Sequence, residues 1–318
     1  MKVKRIEEFL PEFFHKFLPD FFKNSIPEET AANCGDCPML QKPGNGDLKE
    51  DYYSSLSKCC THYPNLPNYL IGRLLNDNDT ALDEGRHRIR KMIESRIEVT
   101  PRGILRPHKY FLLLTHTQKE AFGRSEQLIC PYYDRGWGKC TIHPFWNATC
   151  NTWFCKYEAG CDGMFFWITL RKYLKSVEDA LIFYTLYKMG WNTQNIVLSE
   201  VAERPLTIEE LDDKPLDQER YHTMWENWNG REEDFYKETF HLVADLTPDD
   251  FEKITGISHI VLLEKLKVKH KNLILSEPPK TLKRNPNLRV KRTEDNTYIL
   301  IGYSPRDPVE VPASVYEI

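Results

Sequence analysis

The chain has 318 residues, a formal net charge of −4 and 28% charged residues, so it can bury a real core and has room for two structural units without a metal to hold it together. The lack of a basic excess disfavours nucleic acid as a partner. With no run of about 18 apolar residues, a transmembrane helix is not expected.

The first residues, Met1-Lys-Val-Lys-Arg-Ile-Glu-Glu, lack the apolar stretch and small-residue cleavage site of a secretory signal, which predicts a cytoplasmic, reducing location. An internal repeat follows, Phe9-Leu-Pro-Glu-Phe-Phe-His-Lys and then Phe17-Leu-Pro-Asp-Phe-Phe-Lys-Asn. Ile6, Phe9, Leu10, Phe13, Phe14, Phe17, Leu18, Phe21 and Phe22 keep the spacing of an amphipathic helix, which Pro11 and Pro19 break into short or kinked pieces. The polar face carries both signs of charge, unlike a membrane-surface helix, so the stripe is read as packing on the protein's own core. Residues 1–30 are thus an amphipathic N-terminal segment.

From residue 31 to 165 the chain is rich in cysteine, aromatics and turn formers. Cys34-Gly-Asp-Cys37 and the doublet Cys59-Cys60 come first. Pro64 to Leu75 predicts a helix and Asp79 to Ser95 a second, highly charged one. The apolar run Ile104 to Leu114 fits either a strand or a buried helix start. A second set of cysteines then follows at near-regular spacing, Cys130, Cys140, Cys150 and Cys155, with Cys161 six residues later.

Several thiolates that can converge are what zinc and iron–sulfur centres require, and a Cys-x-x-Cys turn presents two of them. The candidate metal ligands are Cys34, Cys37, Cys59, Cys60, Cys130, Cys140, Cys150 and Cys155, with Cys161 as a substitute. Disulfides fit poorly, because nine cysteines leave one unpaired and the neighbours Cys59 and Cys60 would need separate partners. His62 and His143 are possible imidazole ligands. Eight thiolates suffice for two tetrahedral zinc ions or for one or two iron–sulfur clusters. The aromatics Tyr132, Tyr133, Trp137, Phe145, Trp146, Trp153, Phe154, Phe165, Phe166 and Trp167 would form an apolar shell that tunes a cluster, which tilts the reading toward iron–sulfur.

The string Cys130, Cys140-Thr-Ile142-His143, Cys150, together with Cys34, Cys37 and the Cys59-Cys60 doublet, resembles the YkgJ-like cysteine-cluster family of zinc- or iron-chelating domains. The resemblance covers residues 31 to 165 and implies a cysteine-held metal. Two departures stand out. Trp146-Asn147 replaces the family's Arg-Pro, and the stretch from Gly44 to Glu50 lengthens the interval between Cys37 and Cys59. The chain is also distantly similar to flagellin lysine N-methylases, which implies, as an alternative, an S-adenosylmethionine-dependent protein lysine methylase acting on a protein substrate.

Other enzyme signatures are missing. There is no Walker A loop, no Gly-x-Ser-x-Gly elbow and no His-Glu-x-x-His, and Gly136-Trp-Gly138 lacks the context of a dinucleotide site. Met164 to Met189 predicts a long helix with Gly190 as its cap. Further helices are expected at 193–202, 216–228, 231–246, 248–255 and 258–268, packed through Trp225, Trp228, Tyr236 and Phe240. Lys280 to Asn287 is basic, and Leu288 to Tyr303 predicts a β-hairpin.

The expectation is an α+β, predominantly α protein with an irregular cysteine-rich metal unit (31–165), a helical domain (166–275) and a hairpin tail (276–318). Its function would be that of a redox or cluster-using protein or, alternatively, a zinc-organised interaction module that binds a protein partner.

Overall fold

A computed structural model describes residues 2–29, 37, 39–40, 53–191, 208–275, 288–293, 296–304 and 307–317. Cys34, the stretch from Gly44 to Glu50, the helix expected at 193–202 and the basic Lys280 to Asn287 lie outside the described residues.

Val3–Arg5 (β1) pairs antiparallel with Ser25–Pro27 (β2) and closes a loop of short helical pieces, Ile6–Phe9, Glu12–His15 (α1) and Asp20–Lys23. Pro11 and Pro19 each stand just before a piece, where a missing N–H is harmless, and so divide the stripe as expected. The aromatic face packs inward. Phe9 meets Trp167 at 5.3 Å, Phe13 stacks on Tyr69 at 5.9 Å, Phe17 meets Phe251 at 4.9 Å and Phe22 meets Tyr173 at 5.2 Å.

The next elements are Leu66–Pro67 (β3), Asn68–Asn76 (α2), Asp83–Ser95 (α3), Val99–Thr100 (β4) and Gly103–Ile104 (β5), with the strands in the order β3-β5-β4. The ambiguous run from Ile104 to Leu114 resolves into both candidates. Ile104 ends β5, and Pro107 then opens a helix, His108–Ala121 (α4), because proline at the entry sets φ and has no N–H to satisfy. A short hairpin, Tyr133–Asp134 (β6) with Lys139–Cys140 (β7), and one helical turn, Ala148–Asn151 (α5), carry the second cysteine set.

The long helix Gly160–Lys188 (α6) begins before the expected start at Met164 and buries Phe166, Leu170, Tyr173, Leu174, Val177 and Leu181 along one face. Gly190, at φ +89°, turns the chain into the left-handed region, and the Trp191 N–H returns to the Leu186 carbonyl at 3.0 Å, closing the helix as its sequence foretold. Ile208–Leu211 (α7), Gln218–Trp225 (α8), Glu232–Ala244 (α9), Pro248–Ile254 (α10) and Ile257–Leu275 (α11) follow. Thr247 caps α10 by accepting from the Asp250 N–H at 3.2 Å.

Helix α11 packs on α6, and α9 packs on α2. The second crossing is unusually close because Gly72 faces the Tyr236 carbonyl. Trp225, fully buried against Phe235 and Tyr236, donates its indole N–H to the Val99 carbonyl at 3.2 Å and so joins α8 and α9 to the small sheet. The main buried core runs from Ile6 to Leu273 and joins most of these elements.

The tail holds one strand more than the expected hairpin. Arg289–Arg292 (β8), Thr297–Ile301 (β9) and Pro308–Pro312 (β10) form an antiparallel sheet in the order β10-β9-β8, followed by Ala313–Tyr316 (α12). The architecture is therefore helix-rich with small sheets. Among the described residues no helix is long and apolar enough to cross a membrane.

Candidate metal centre

The cysteine doublet sits in a turn anchored from outside. The Ser57 hydroxyl donates to the Gly123 carbonyl at 2.8 Å, the Gly123 N–H donates to Thr61 Oγ1 at 2.6 Å, and the Tyr110 hydroxyl donates to the Thr61 carbonyl. Both ends of α4 thus hold the doublet. The Cys130 N–H then donates to the Cys60 carbonyl at 2.8 Å, joining the two halves of the cysteine pattern across 70 residues of sequence.

Cys140 lies opposite Tyr133 in the β6–β7 hairpin, which folds it back toward Cys130. Arg88 of α3 fastens that hairpin by donating to the carbonyls of Pro131 (2.8 Å) and Tyr133 (3.0 Å) and to Asp134 (2.9 Å). The Trp146 indole N–H donates to Cys140 Sγ at 3.3 Å.

Cys150 rides on α5. Asn147 caps this turn, accepting from the Cys150 N–H at 3.1 Å and donating to the Asn65 carbonyl at 3.0 Å. Glu178, only 1% exposed, reaches from α6 to accept the Ala148 N–H at 2.5 Å. Arg171, one face-repeat earlier on α6, donates to Thr152 at 3.1 Å and lies over the Trp153 ring at 5.4 Å. Replacing Asn147 with alanine removes the cap and leaves the partly buried Asn65 carbonyl without this donor, so it should cost about 1–2 kcal/mol in a urea unfolding titration; no measurable change would mean that α5 does not depend on its cap.

The thiols fall into two neighbouring groups. Cys37 forms a small buried cluster with Met39 and Tyr53, against which Cys59, Cys155 and Phe122 pack. Cys130 belongs to the main core, with Cys60 and Cys140 packed against it. Cys150 feels Cys140 first and Cys59 next among the thiols. None of the described cysteines is joined in a disulfide. Of the predicted ligands, Cys34 lies outside the described residues, and Cys161 is exposed on the first turn of α6, apart from both groups. Among the described residues, no three or more Cys, His, Asp or Glu side chains stand arranged to hold one ion.

Burial, and then the neighbouring Cys140 and Cys150, push the Cys130 thiol well above its ordinary pKa. Burial likewise raises Cys150 and Cys37, while the hydrogen bond with Cys60 followed by burial raises Cys59. Protonated buried thiols are poor nucleophiles, which speaks against free redox cysteines. A thiophilic cation removes the same penalty, because it takes thiolates as ligands and supplies the missing charge. Thiolate is the donor type that zinc and iron–sulfur centres use, but among the described residues no three such side chains stand arranged for one ion. Arg171, whose guanidinium neighbours Cys150, offsets the negative charge that several thiolates would bring.

His62 is pushed down to about 4 by burial, with Arg106 and Arg171 nearby, so it is neutral at physiological pH. His143 lies edge-on to Trp146 at 4.4 Å. Neither belongs to a group that could hold an ion. The aromatic shell is only partly as expected. Tyr132, Tyr133, Phe145, Phe166 and Trp167 are buried, but Trp137 (62% exposed) and Phe165 (44%) face solvent. An open groove of about 480 Å³ runs past Arg88, Glu126, Cys130, Asp134 and Arg135, giving the Cys130 side an approach from solvent.

Sequence reasoning passed over Arg171 and Glu178, the two charges that α6 sends toward the cysteines. Their spacing of seven on an otherwise apolar helix face was the available signal. No protein-family model, curated protein or solved structure matches the chain.

Proposed function

We propose that this is a cytoplasmic metal protein whose cysteine cluster holds an iron–sulfur or zinc centre, as its likeness to the YkgJ-like family implies. The observation that carries the reading is the gathering, from distant parts of the chain, of Cys37, Cys59, Cys60, Cys130, Cys140 and Cys155 into two partly buried groups, with Cys150 near Cys140 and Cys59 and no disulfide among them. Core packing alone gives no reason to assemble so many thiols, four of which, Cys37, Cys59, Cys130 and Cys150, are made reluctant to ionise by burial and neighbouring thiols. Ligation of a soft cation does.

Iron–sulfur remains the favoured occupant. The indole N–H donated to Cys140 Sγ and the buried rings of Tyr132 and Phe145 are the kind of surroundings that set a cluster's potential. The cluster would supply electron transfer or cluster-dependent modification of a partner; the protein's own residues would bind it, exclude water and, through Arg171, balance its charge. Reducing conditions keep such thiols unpaired, which is the ground for placing the protein in the cytoplasm.

Protein purified without oxygen should be brown, with iron matched by acid-labile sulfide. Stoichiometric zinc in a colourless protein would keep the ligand assignment but favour the interaction-module alternative. Neither metal above trace level, in protein shown to be folded, would overturn the proposal.

A further inference from the structure

We propose that the outer side of α11 is a docking surface for an anionic lipid membrane. Among the described residues no helix is long and apolar enough to cross a membrane, so attachment here means lying on its surface.

Helix α11 has two unlike sides. Leu266, His270 and Leu273 are buried on one of them, where His270 lies 6.3 Å from Phe166 of α6 and 2.9 Å from the Ser25 carbonyl. The opposite side shows Ile257, Val261 and Val268, spaced four and seven residues apart and so in one line along the helix, at 81%, 44% and 59% exposure. Ile260, also exposed, stands beside that line. Single exposed aliphatics need no explanation, but four on one side of one helix form a patch.

The charges are equally one-sided. Lys265, Lys267, Lys269 and Lys271 alternate through the second half of α11, against one acid in the helix, Glu264, which pairs with Lys267 at 2.7 Å. Four lysines against one glutamate leave three positive charges, in a chain whose net charge is −4. The acids of α10 come before the other end of the helix, and Asp250 among them is already held by Lys253 at 2.8 Å and Thr247 at 2.7 Å. On α6, Phe165 is exposed with the Lys269 ammonium over its ring at 5.2 Å, which extends the mixed apolar and basic surface beyond α11.

The residue types choose a membrane over a protein. Protein interfaces are enriched in arginine and aromatic side chains and depleted in lysine, whereas α11 has no Arg, Phe, Tyr or Trp. Lysine is a flexible point charge, suited to headgroups in no fixed arrangement, while arginine suits a carboxylate or phosphate held in one geometry. The outer side of a helix is also convex, so its aliphatic tips can enter the headgroup boundary without a matching groove. Each lysine near an anionic leaflet adds attraction, and the aliphatics add apolar area. Together they give reversible attachment.

The test is sedimentation of the full-length protein, as purified, with vesicles of phosphatidylcholine and with vesicles in which part of that lipid is replaced by phosphatidylserine. Binding should be confined to the phosphatidylserine vesicles and should fall steeply with added salt. Lys265→Gln with Lys271→Gln should weaken it by about tenfold or more. Val261→Ser with Val268→Ser should weaken it by about tenfold. All four side chains are exposed, so helical content by circular dichroism should match the wild type, which separates loss of this surface from unfolding.

Unchanged binding by both variants overturns the assignment to α11. No binding of the wild type to phosphatidylserine vesicles overturns the proposal outright. A chain that ignores the vesicles but is retained by polyglutamate also overturns it and puts an acidic protein in place of the lipid. None of these results depends on which metal the cysteines hold.

Discussion

Replacing Gly72 with alanine should destabilise the protein by about 3–5 kcal/mol, a large part of the stability of a typical domain. A Cβ at this position would stand 1.8 Å from the Tyr236 carbonyl oxygen, 2.6 Å from its carbon and 3.0 Å from Phe240 Cβ. The nearest obstacles are main-chain atoms inside α9, which have no rotamer to escape into. Either α2 and α9 move apart, or the helix carrying Tyr236 distorts. Both outcomes open gaps around Tyr69, Leu70 and Phe235, which have almost no exposed surface.

For a chain of this size the expected fall in melting temperature is about 5–7 °C. Gly302 is the control, since nothing lies within 4 Å of a Cβ built there, and alanine at that position should change stability by less than about 0.5 kcal/mol. Metal content must be matched between the proteins, because bound metal adds its own stability. A shift of only one or two degrees for Gly72→Ala would mean that the two helices are not in contact at this crossing.

The second large effect depends on pH. Burial raises the pKa of the Glu178 carboxyl from its ordinary 4.5 to about 7. Between those values the folded protein holds a proton that the unfolded chain has already released, so stability from this group is full below about 4.5 and is lost as pH rises through about 7. The whole loss is of order 3 kcal/mol. Glu178→Gln keeps an oxygen to accept the Ala148 N–H but cannot ionise. It should match the wild type near pH 4 and exceed it by about 3 kcal/mol at pH 8 in urea unfolding. Equal differences at the two pH values would show that the carboxyl does not titrate in the buried site.

Elements with a strong local signature were legible before the structure. The apolar stripe from Phe165 to Leu186 with Gly190 after it, the Thr247-Pro248 entry and the two prolines that chop the phenylalanine repeat all mark their own boundaries. The third strand of the tail was not, because Pro308-Val-Glu-Val-Pro312 carries a proline at each end, and proline counts against a strand until an edge position accommodates it. The pairing of β1 with β2 involves only Val3 to Arg5 and Ser25 to Pro27, too few residues to show a period.

For the candidate site, residue type and spacing identified the cysteines, since chemistry is written in the side chain. Which cysteine meets which was invisible. Cys59 bonds its neighbour Cys60 and also packs against the cluster of Cys37, Met39 and Tyr53, and the second contact is made by Tyr53, Phe122 and α4, not by local sequence. Glu178 and Arg171 were hidden for a related reason. A charge on a helix reads as solvent-facing unless something far away in the chain is known to cover it.

The bonds from the Lys16 ammonium to the carbonyls of Val243, Ala244 and Leu246, at 3.0, 2.7 and 3.1 Å, tie an early segment to the end of α9 across more than 220 residues. At ordinary translation speeds, the ribosome needs on the order of ten to fifty seconds to make that partner after Lys16 has emerged. Throughout that interval Phe13, Phe14, Phe17, Phe21 and Phe22 have no α9, α10 or α11 to cover them. The nascent chain therefore spends most of its synthesis with its stickiest stretch bare, and a cell that overproduces it will need chaperones that hold this N-terminus to obtain folded protein rather than aggregate.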